Sequence, residues 1–276
     1  MFIIFLLRLC YHKCFHNPIK KKYTGTVAVL ANGPSLKEVI PLLTKDEAFK
    51  NVDFIAMNFF ALDDVFFKIK PKHYCLADPM FHMDSIRIQE VRKLFTLMQE
   101  KIDWEINLYI LKTYPDFLRF SNLTNKNVHI IKVNNILYSG YNLFRNFFIT
   151  KNLAMPRLEG SVALLAIFVC INSGYSNIRL YGVDHNFFDS LCVNENNQLC
   201  NKATYFYDKE TVKLSPIYKS NGEIWKISEY IMEKGWLFTS HDLLASYAEY
   251  MNVNIINCTK NSLIDSYKRF SASEGK

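Results

Sequence analysis

Thr26 to Glu38 reads T-V-A-V-L-A-N-G-P-S-L-K-E, and this stretch most constrains what the chain can become. Thr26 to Ala31 has the length and β-branched content of a buried parallel strand. It must end at Gly33-Pro34, because proline offers no N–H and glycine admits backbone angles closed to other residues. Ser35, with Glu38 three residues later, fits a capping box that opens the next helix. Free N–H groups at such a helix start, together with its dipole, suit a phosphate. Asn32 adds an amide that can both donate and accept, enough to hold a ribose or a base edge. An ordinary strand-to-helix loop is the plain alternative.

Two more apolar runs close in the same way. Val52 to Met57 ends at Asn58, and His73 to Ala77 ends at Asp78-Pro79, where Asp before Pro favours a turn. Asn and Asp often end strands through local turns alone. In an open parallel sheet, however, ligands gather outside the carboxyl ends of strands, so Asn32, Asn58 and Asp78 are expected to line one crevice. Asp84 to Lys101 has helical spacing through Ile86, Ile88, Val91, Leu94 and Leu97. Asn107 to Leu111 and Val128 to Val133 read as strands, and Ser139 to Leu153 and Ser161 to Ser173 as helices, the second almost wholly apolar and capped by Gly160-Ser161. Asn177 to Tyr181 is a strand that delivers Gly182, Val183, Asp184 and His185. Glu223 to Gly235 reads as a helix stopped by its glycine, Ser240 caps another from His241 to Met251, and Val253 to Asn257 is a last strand.

The expected fold is therefore α/β, a Rossmann-like and mostly parallel sheet with helices on both faces. It would be a GT-A-like single domain over 24–188 and 223–268. Residues 189–222 lose the apolar period and form a candidate lid or insertion, containing Tyr205 and Tyr207, which either pack the loop down or donate to a ligand. Residues 269–276 read as a tail. At 276 residues and 50% hydrophobic, the chain can bury a large core.

Residues 1–23 are apolar and aromatic first, then basic at Lys20, Lys21 and Lys22. Arg8, His12 and Lys13 interrupt the run too early for a bilayer span, and the charge order is the reverse of a secretory signal. The segment suits the lipid interface, with its basic stretch on anionic head groups; a helix packed on the domain or on a partner chain is the alternative. The formal charge of +7 fits an anionic partner surface. No arginine-rich or aromatic-interleaved pattern suggests groove readout, so nucleic acid is the least favoured partner. Seven cysteines without a C-x-x-C pair argue against zinc. Cys192 and Cys200 flank a polar loop and could pair, but a reducing compartment would keep them as thiols. The expected location is cytoplasmic, at the inner face of the cytoplasmic membrane.

A-N-G-P-S-L-K-E, Asn58 after the second strand, the Gly160-Ser161-led helix, G-Y-S-N-I-R-L-Y-G-V-D at 174–184 and C-T-K-N-S-L near the end occur in that order. Over roughly residues 24 to 268 this resembles the CMP-sialic-acid-dependent sialyltransferases that decorate bacterial lipooligosaccharide. It also resembles their relatives with a 6-hydroxymethylpterin diphosphokinase-like domain found among surface-polysaccharide genes. N-G-P-S-L is the specific motif; the rest persuades by order and spacing.

The resemblance implies a glycosyltransferase that takes a CMP-activated acidic sugar and needs no cofactor or metal. It places Asn32 and Gly33, with Ser35 in the same turn, at the donor phosphate and ribose, and Asn58 and Asp78 along the nucleotide or sugar. Gly160 and Ser161 fall on the cytidine or carboxylate side, and Gly182 and Asp184 on the nucleotide. Two tyrosines after this strand assist the departing phosphate in the sialyltransferases. Asn186 stands where the first would be, which leaves Tyr205 and Tyr207. Either His185 or His241 can accept the acceptor's proton near neutral pH. The acceptor would be a glycan or lipid-linked oligosaccharide, the membrane surface a further partner, and association into a homo-oligomer stays open. Two rivals remain. One is an ATP- and Mg²⁺-dependent diphosphokinase using Asp78, Asp84 and Asp184; the other is a non-catalytic nucleotide-binding protein of a polysaccharide assembly complex.

Overall fold

The computed structural model describes residues 1–114, 116–203, 213–219 and 222–270. In chain order it runs α1 (Phe2–Tyr11), β1 (Thr26–Leu30), α2 (Leu36–Val39), β2 (Asp53–Met57), α3 (Asp64–Ile69), β3 (His73–Leu76), α4 (Ile88–Lys101), β4 (Ile106–Leu111), α5 (Phe117–Ser121), β5 (Val128–Val133), α6 (Asn142–Thr150), α7 (Val162–Ser173) and β6 (Asn177–Tyr181). There follow β7 (Leu191–Val193), β8 (Leu199–Ala203), β9 (Lys213–Pro216), α8 (Ile227–Tyr250), β10 (Asn254–Asn257) and β11 (Lys268–Arg269). Eight strands, every pair parallel, form one sheet in the order β11-β10-β6-β1-β2-β3-β4-β5. The fold is α/β and Rossmann-like.

Alternation along the strands explains the two covered faces. Val27, Val29, Ile55, Met57 and Cys75 point into a core shared with α7 and α8, whereas Ala28, Leu30, Phe54, Ala56, Tyr74 and Leu76 point into one shared with α3, α4 and α5. Every residue of α7 except Val162 is buried. A fully buried leucine, isoleucine or phenylalanine contributes about 1.5–3 kcal/mol, so α7 is the central prop of its face.

The order of the strands decides where a ligand can go. The chain steps outward from β1 to β5, then returns through α6 and α7 to lay β6 on the other side of β1. The loops after β1 and β6 therefore leave in opposite directions and open a crevice at the carboxyl ends of these strands.

The helix expected over Ser139 to Leu153 is shorter, Asn142–Thr150, and larger differences from the sequence reading lie elsewhere. Ser85 makes a turn, its Oγ accepting from Arg87 N and its carbonyl from Ile88 N, so α4 starts only at Ile88 and Ile86 is fully exposed. Gly235 does not stop a helix. α8 runs unbroken from Ile227 to Tyr250, and Ser240 Oγ donates to Trp236 O at 2.7 Å instead of capping a second helix. Packing of α8 on α7 outweighs the small intrinsic cost of one glycine. Arg269 is anchored, donating to the carbonyls of Thr259 and Ser262, so the chain is still structured where a tail was expected; residues 271–276 lie outside the described residues. The described part of 189–222 is a three-stranded antiparallel sheet, β7-β8-β9, in which Cys192 and Cys200 stand opposite each other as free thiols.

α1 packs on the domain. Phe5 and Leu9 are buried against Cys14, Ile136 and Ala154, and no helix among the described residues is long and apolar enough to cross a membrane. Lys20 to Lys22 do not continue the α1 surface. Lys22 N and Tyr23 N both donate to Ser173 O at the carboxyl end of α7, where positive charge complements the helix dipole, at the opposite end of the sheet from the crevice.

That opposite end also holds a buried histidine. His73 Nε2 lies 2.8 Å from Tyr175 OH, which donates to Asp53 Oδ2 at 2.8 Å, and Tyr109 OH lies 3.3 Å from Nδ1. The neutral ring satisfies this pattern, Nε2–H donating to Tyr175 OH and Nδ1 accepting from Tyr109 OH. Burial lowers the His73 pKa from 6.5 to about 4. The unfolded chain therefore binds more protons between those values, and stability falls as pH drops through that window, by up to about 1.4 kcal/mol per pH unit for each such histidine. Urea midpoints measured at pH 7 and pH 5 should fall further for the native chain than for His73→Gln.

Candidate functional site

The turns after β1 and β6 are locked together. Ala31 N donates to Tyr181 O and Gly33 N to Gly182 O, each at 2.9 Å. The Asp184 carboxylate then closes on Ser35, accepting from its N–H at 3.3 Å and from its hydroxyl at 2.9 Å. Such an approach requires the two glycines. A Cβ on Gly33 would stand 1.9 Å from Asp184 Oδ2, and one on Gly182, whose φ is +69°, would stand 2.6 Å from Ala31 O.

This clasp corrects the expectation for Ser35. Its hydroxyl does not cap α2, no capping box forms, and Glu38 pairs instead with Lys260 at 3.0 Å. α2 is a single turn whose first N–H groups already donate, Leu36 to Gly33 O and Lys37 to Pro34 O. With a carboxylate in the position expected for phosphate, the N-G-P-S turn repels an anion and suits hydroxyl or amine donors.

C-T-K-N-S-L braces the other side. Thr259 Oγ1 accepts from Val183 N at 3.1 Å, Ser262 Oγ donates to Val183 O at 2.7 Å, and Leu263 N donates to Asp184 O at 3.1 Å. These side-chain hydroxyls hold the Gly182–Asp184 backbone in a loop with no strand to hold it.

Two cavities open from this point. The smaller, ≈ 380 Å³, is lined by Asn32, Gly33, Asn58, Gly160, Ser161, Gly182, Asp184, His185, Asn186 and Phe187. The larger, ≈ 680 Å³, continues past Asp78 to Asn135, Leu137, Met155 and Glu159. They share Asn58, Gly160, Ser161 and Val162 and so form one trough across the carboxyl ends of β6, β1, β2, β3 and β4. Asn32 donates to Met57 O at 3.3 Å. Asn58 adopts a φ of +50°, its carbonyl accepts from Tyr74 OH, and its Oδ1 is buried without a partner. Asp78 Oδ1 accepts from Met80 N at 3.1 Å, a local turn, while its residue faces the larger cavity. The amino end of α7, where Ser161 Oγ accepts from Ala163 N, reaches the joint between the cavities. A twelve-residue helix ending there offers the positive end of its dipole to an anion.

His185 and His241, proposed as rivals, are partners. Their Nε2 atoms lie 3.1 Å apart, and His241 Nδ1 lies 3.0 Å from Tyr267 OH. His241 is fully buried within α8 and lines neither cavity; His185 lines the smaller one. His185 has a φ of +53°, a conformation uncommon outside glycine, and its ring stacks on Phe187 at 5.3 Å. Burial, then the nearby Lys234 ammonium, lowers the His185 pKa to about 4, and burial, then His185, lowers that of His241 to about 3. Both rings are neutral at pH 7.

Tyr205 and Tyr207 lie outside the described residues. Asp84 lies apart from Asp78 and Asp184, in a separate cavity with His82, Arg92 and Arg119. Among the described residues no group of three or more His, Cys, Asp or Glu could hold a metal ion. Asn186, noted only as a departure from a tyrosine, has its Oδ1 buried without a partner at the trough wall. Tyr267 was not foreseen; nothing local marks a tyrosine near the end as the support of a histidine 26 residues earlier.

The chain matches no protein-family model, and no curated protein matches it.

Gly33→Ala forces backbone and carboxylate apart at the clasp. It should lower the unfolding free energy by about 2 kcal/mol or more in urea titration, whereas Gly25→Ala, whose surroundings are open, should cost less.

Proposed function

We propose that the chain is an inverting glycosyltransferase that moves an acidic sugar from a CMP-sugar to a glycan hydroxyl. The observation that carries the reading is the trough at the β1/β6 switch point, with a carboxylate and amides at one end, a helix amino end in the middle and a neutral histidine in its wall. Asp184 and Asn32 suit the ribose hydroxyls and the cytosine edge. The amino end of α7 at Gly160-Ser161 suits the anions, the phosphate and the sugar carboxylate. Asn58 and Asn186 bring buried amide oxygens that await donors.

In this reading His185 Nδ1 takes the proton of the acceptor hydroxyl as that oxygen attacks the anomeric carbon. The bond from that carbon to the phosphate oxygen breaks, its electron pair leaves with CMP, and the configuration inverts. Of the two arrangements that the contacts allow, the base uses the one in which His241 Nδ1–H donates to Tyr267, His241 Nε2 accepts from His185 Nε2–H and His185 Nδ1 is bare. His241 is thus a positioning residue. The nucleotide's negative charge raises the His185 pKa, so the acid limb of kcat should lie at higher pH than that of kcat/KM.

The resemblance to CMP-sialic-acid-dependent sialyltransferases points the same way. The separation of Asp84 from Asp78 and Asp184 disfavours the diphosphokinase reading, which needs them together. CMP at about a hundredfold excess over its Kd should stabilise the chain by about 2.7 kcal/mol in thermal denaturation, with EDTA present. His185→Ala should keep that shift and lower kcat by about 10²–10⁴, and His241→Phe should lower kcat less, with KM little changed. A shift with ATP and Mg²⁺ alone would overturn the proposal, and CMP binding with no turnover of any CMP-sugar would leave a binding protein.

A further inference from the structure

α1 is seated firmly yet half uncovered. Phe2 stacks on Phe144 of α6 at 6.0 Å and meets Tyr141 edge-on at 5.7 Å, and Gly140 makes room, since a Cβ there would lie 2.3 Å from the Phe2 ring. While Phe5 and Leu9 face inward, Ile3, Ile4 and Leu7 face solvent, Ile3 being 74% exposed. α6 continues the pattern with Leu143, 84% exposed, and with Phe144 and Phe147. Apolar side chains on two helices joined by an aromatic seam make a surface that water alone does not explain.

The charges around this surface have one sign. Arg8, Lys13, Arg145 and Lys151 are exposed on or beside the two helices, and Lys151 Nζ lies 4.2 Å from the centre of the Phe147 ring. No Asp or Glu occurs between Met1 and Lys37 or between Phe117 and Leu158. The nearest acids are engaged: Glu159 pairs with Arg157 at 2.7 Å, and Asp242, across the cavity between α6 and α8 that Arg145 also lines, accepts from Ser266 Oγ at 2.6 Å. A second copy of the same face would set cation on cation with no acid to answer them.

We propose that the outer faces of α1 and α6 dock the protein on an anionic lipid bilayer, with α1 lying in the interface plane. Ile3, Leu7, Leu143 and Phe147 enter the boundary between head groups and acyl chains, and Arg8, Lys13, Arg145 and Lys151 meet the head groups. The docking face adjoins the trough. Ile136 packs under Phe5 and Leu9, while the next residue, Leu137, lines the larger cavity and pairs with Met155. The mouth of the trough farthest from His185 therefore opens beside the bilayer. Resting on the glycosyltransferase reading, this makes the acceptor a glycan on a membrane lipid.

Co-sedimentation of the full chain with vesicles tests the docking directly. Binding to phosphatidylcholine containing phosphatidylglycerol should exceed binding to phosphatidylcholine alone by about tenfold and weaken as salt rises. The exposed double variants Ile3→Glu with Leu7→Glu, and Arg145→Glu with Lys151→Glu, should each lose about tenfold in binding. Their CMP-induced thermal shift should stay that of the native chain, which shows that they fold and reports separately on the nucleotide reading. A native chain that remains in solution, or variants that bind as well as it does, would overturn the proposal. A native dimer that the first variant turns into a monomer, with no vesicle binding, would assign the face to a second copy and overturn it equally.

Discussion

The clasp of Asp184 on Ser35 is the contact on which the rest of the site depends. It ties residues 149 apart in sequence and holds the β1 and β6 turns within a distance that leaves no room for a side chain on Gly33. The two turns that flank the smaller cavity meet at that point. β6 delivers Asp184 and His185, β1 delivers Asn32, and the Thr259–Ser262 loop supports the β6 turn from behind through Val183. The carboxylate also sets the chemistry of its end of the trough, rejecting anions there and leaving the amino end of α7 as the place for negative charge.

Strands that end in small polar residues were legible because β-branched runs and Asn, Asp or Gly stops are local signals. Asn32, Asn58 and Asp78 do line one crevice, with Gly160, Ser161, Gly182 and Asp184. What escaped was non-local. Ser35 followed by Glu38 looked like a cap, but the competing carboxylate comes from the far half of the chain. Gly235 and Ser240 looked like a stop and a start, but α8 runs through both because its inner face packs on α7. Without that continuity His241 would be a helix terminus; within it, the ring is buried at mid-helix and supports a histidine 56 residues away.

His185 and His241 illustrate how burial fixes a pair of neutral histidines in this molecule. A lone imidazole in the trough wall would be free to choose either tautomer, whereas the Tyr267–His241–His185 series restricts the choice to two concerted arrangements. The proposed docking through α1 and α6 would give the same domain a direction in space. With α1 and α6 on one side of the trough and the proposed nucleotide end on the other, a soluble donor and a membrane-held acceptor would approach from opposite ends.

The most direct test of the account is a crystal structure of the chain with CMP. The account predicts ribose hydroxyls within hydrogen-bonding distance of Asp184 or Asn32, the phosphate at Gly160–Ser161 on the amino end of α7, and His185 Nδ1 turned toward the phosphate side. A nucleotide bound away from the β1/β6 crevice, or one whose phosphate lies on the Asn32–Ser35 turn against Asp184, would contradict it.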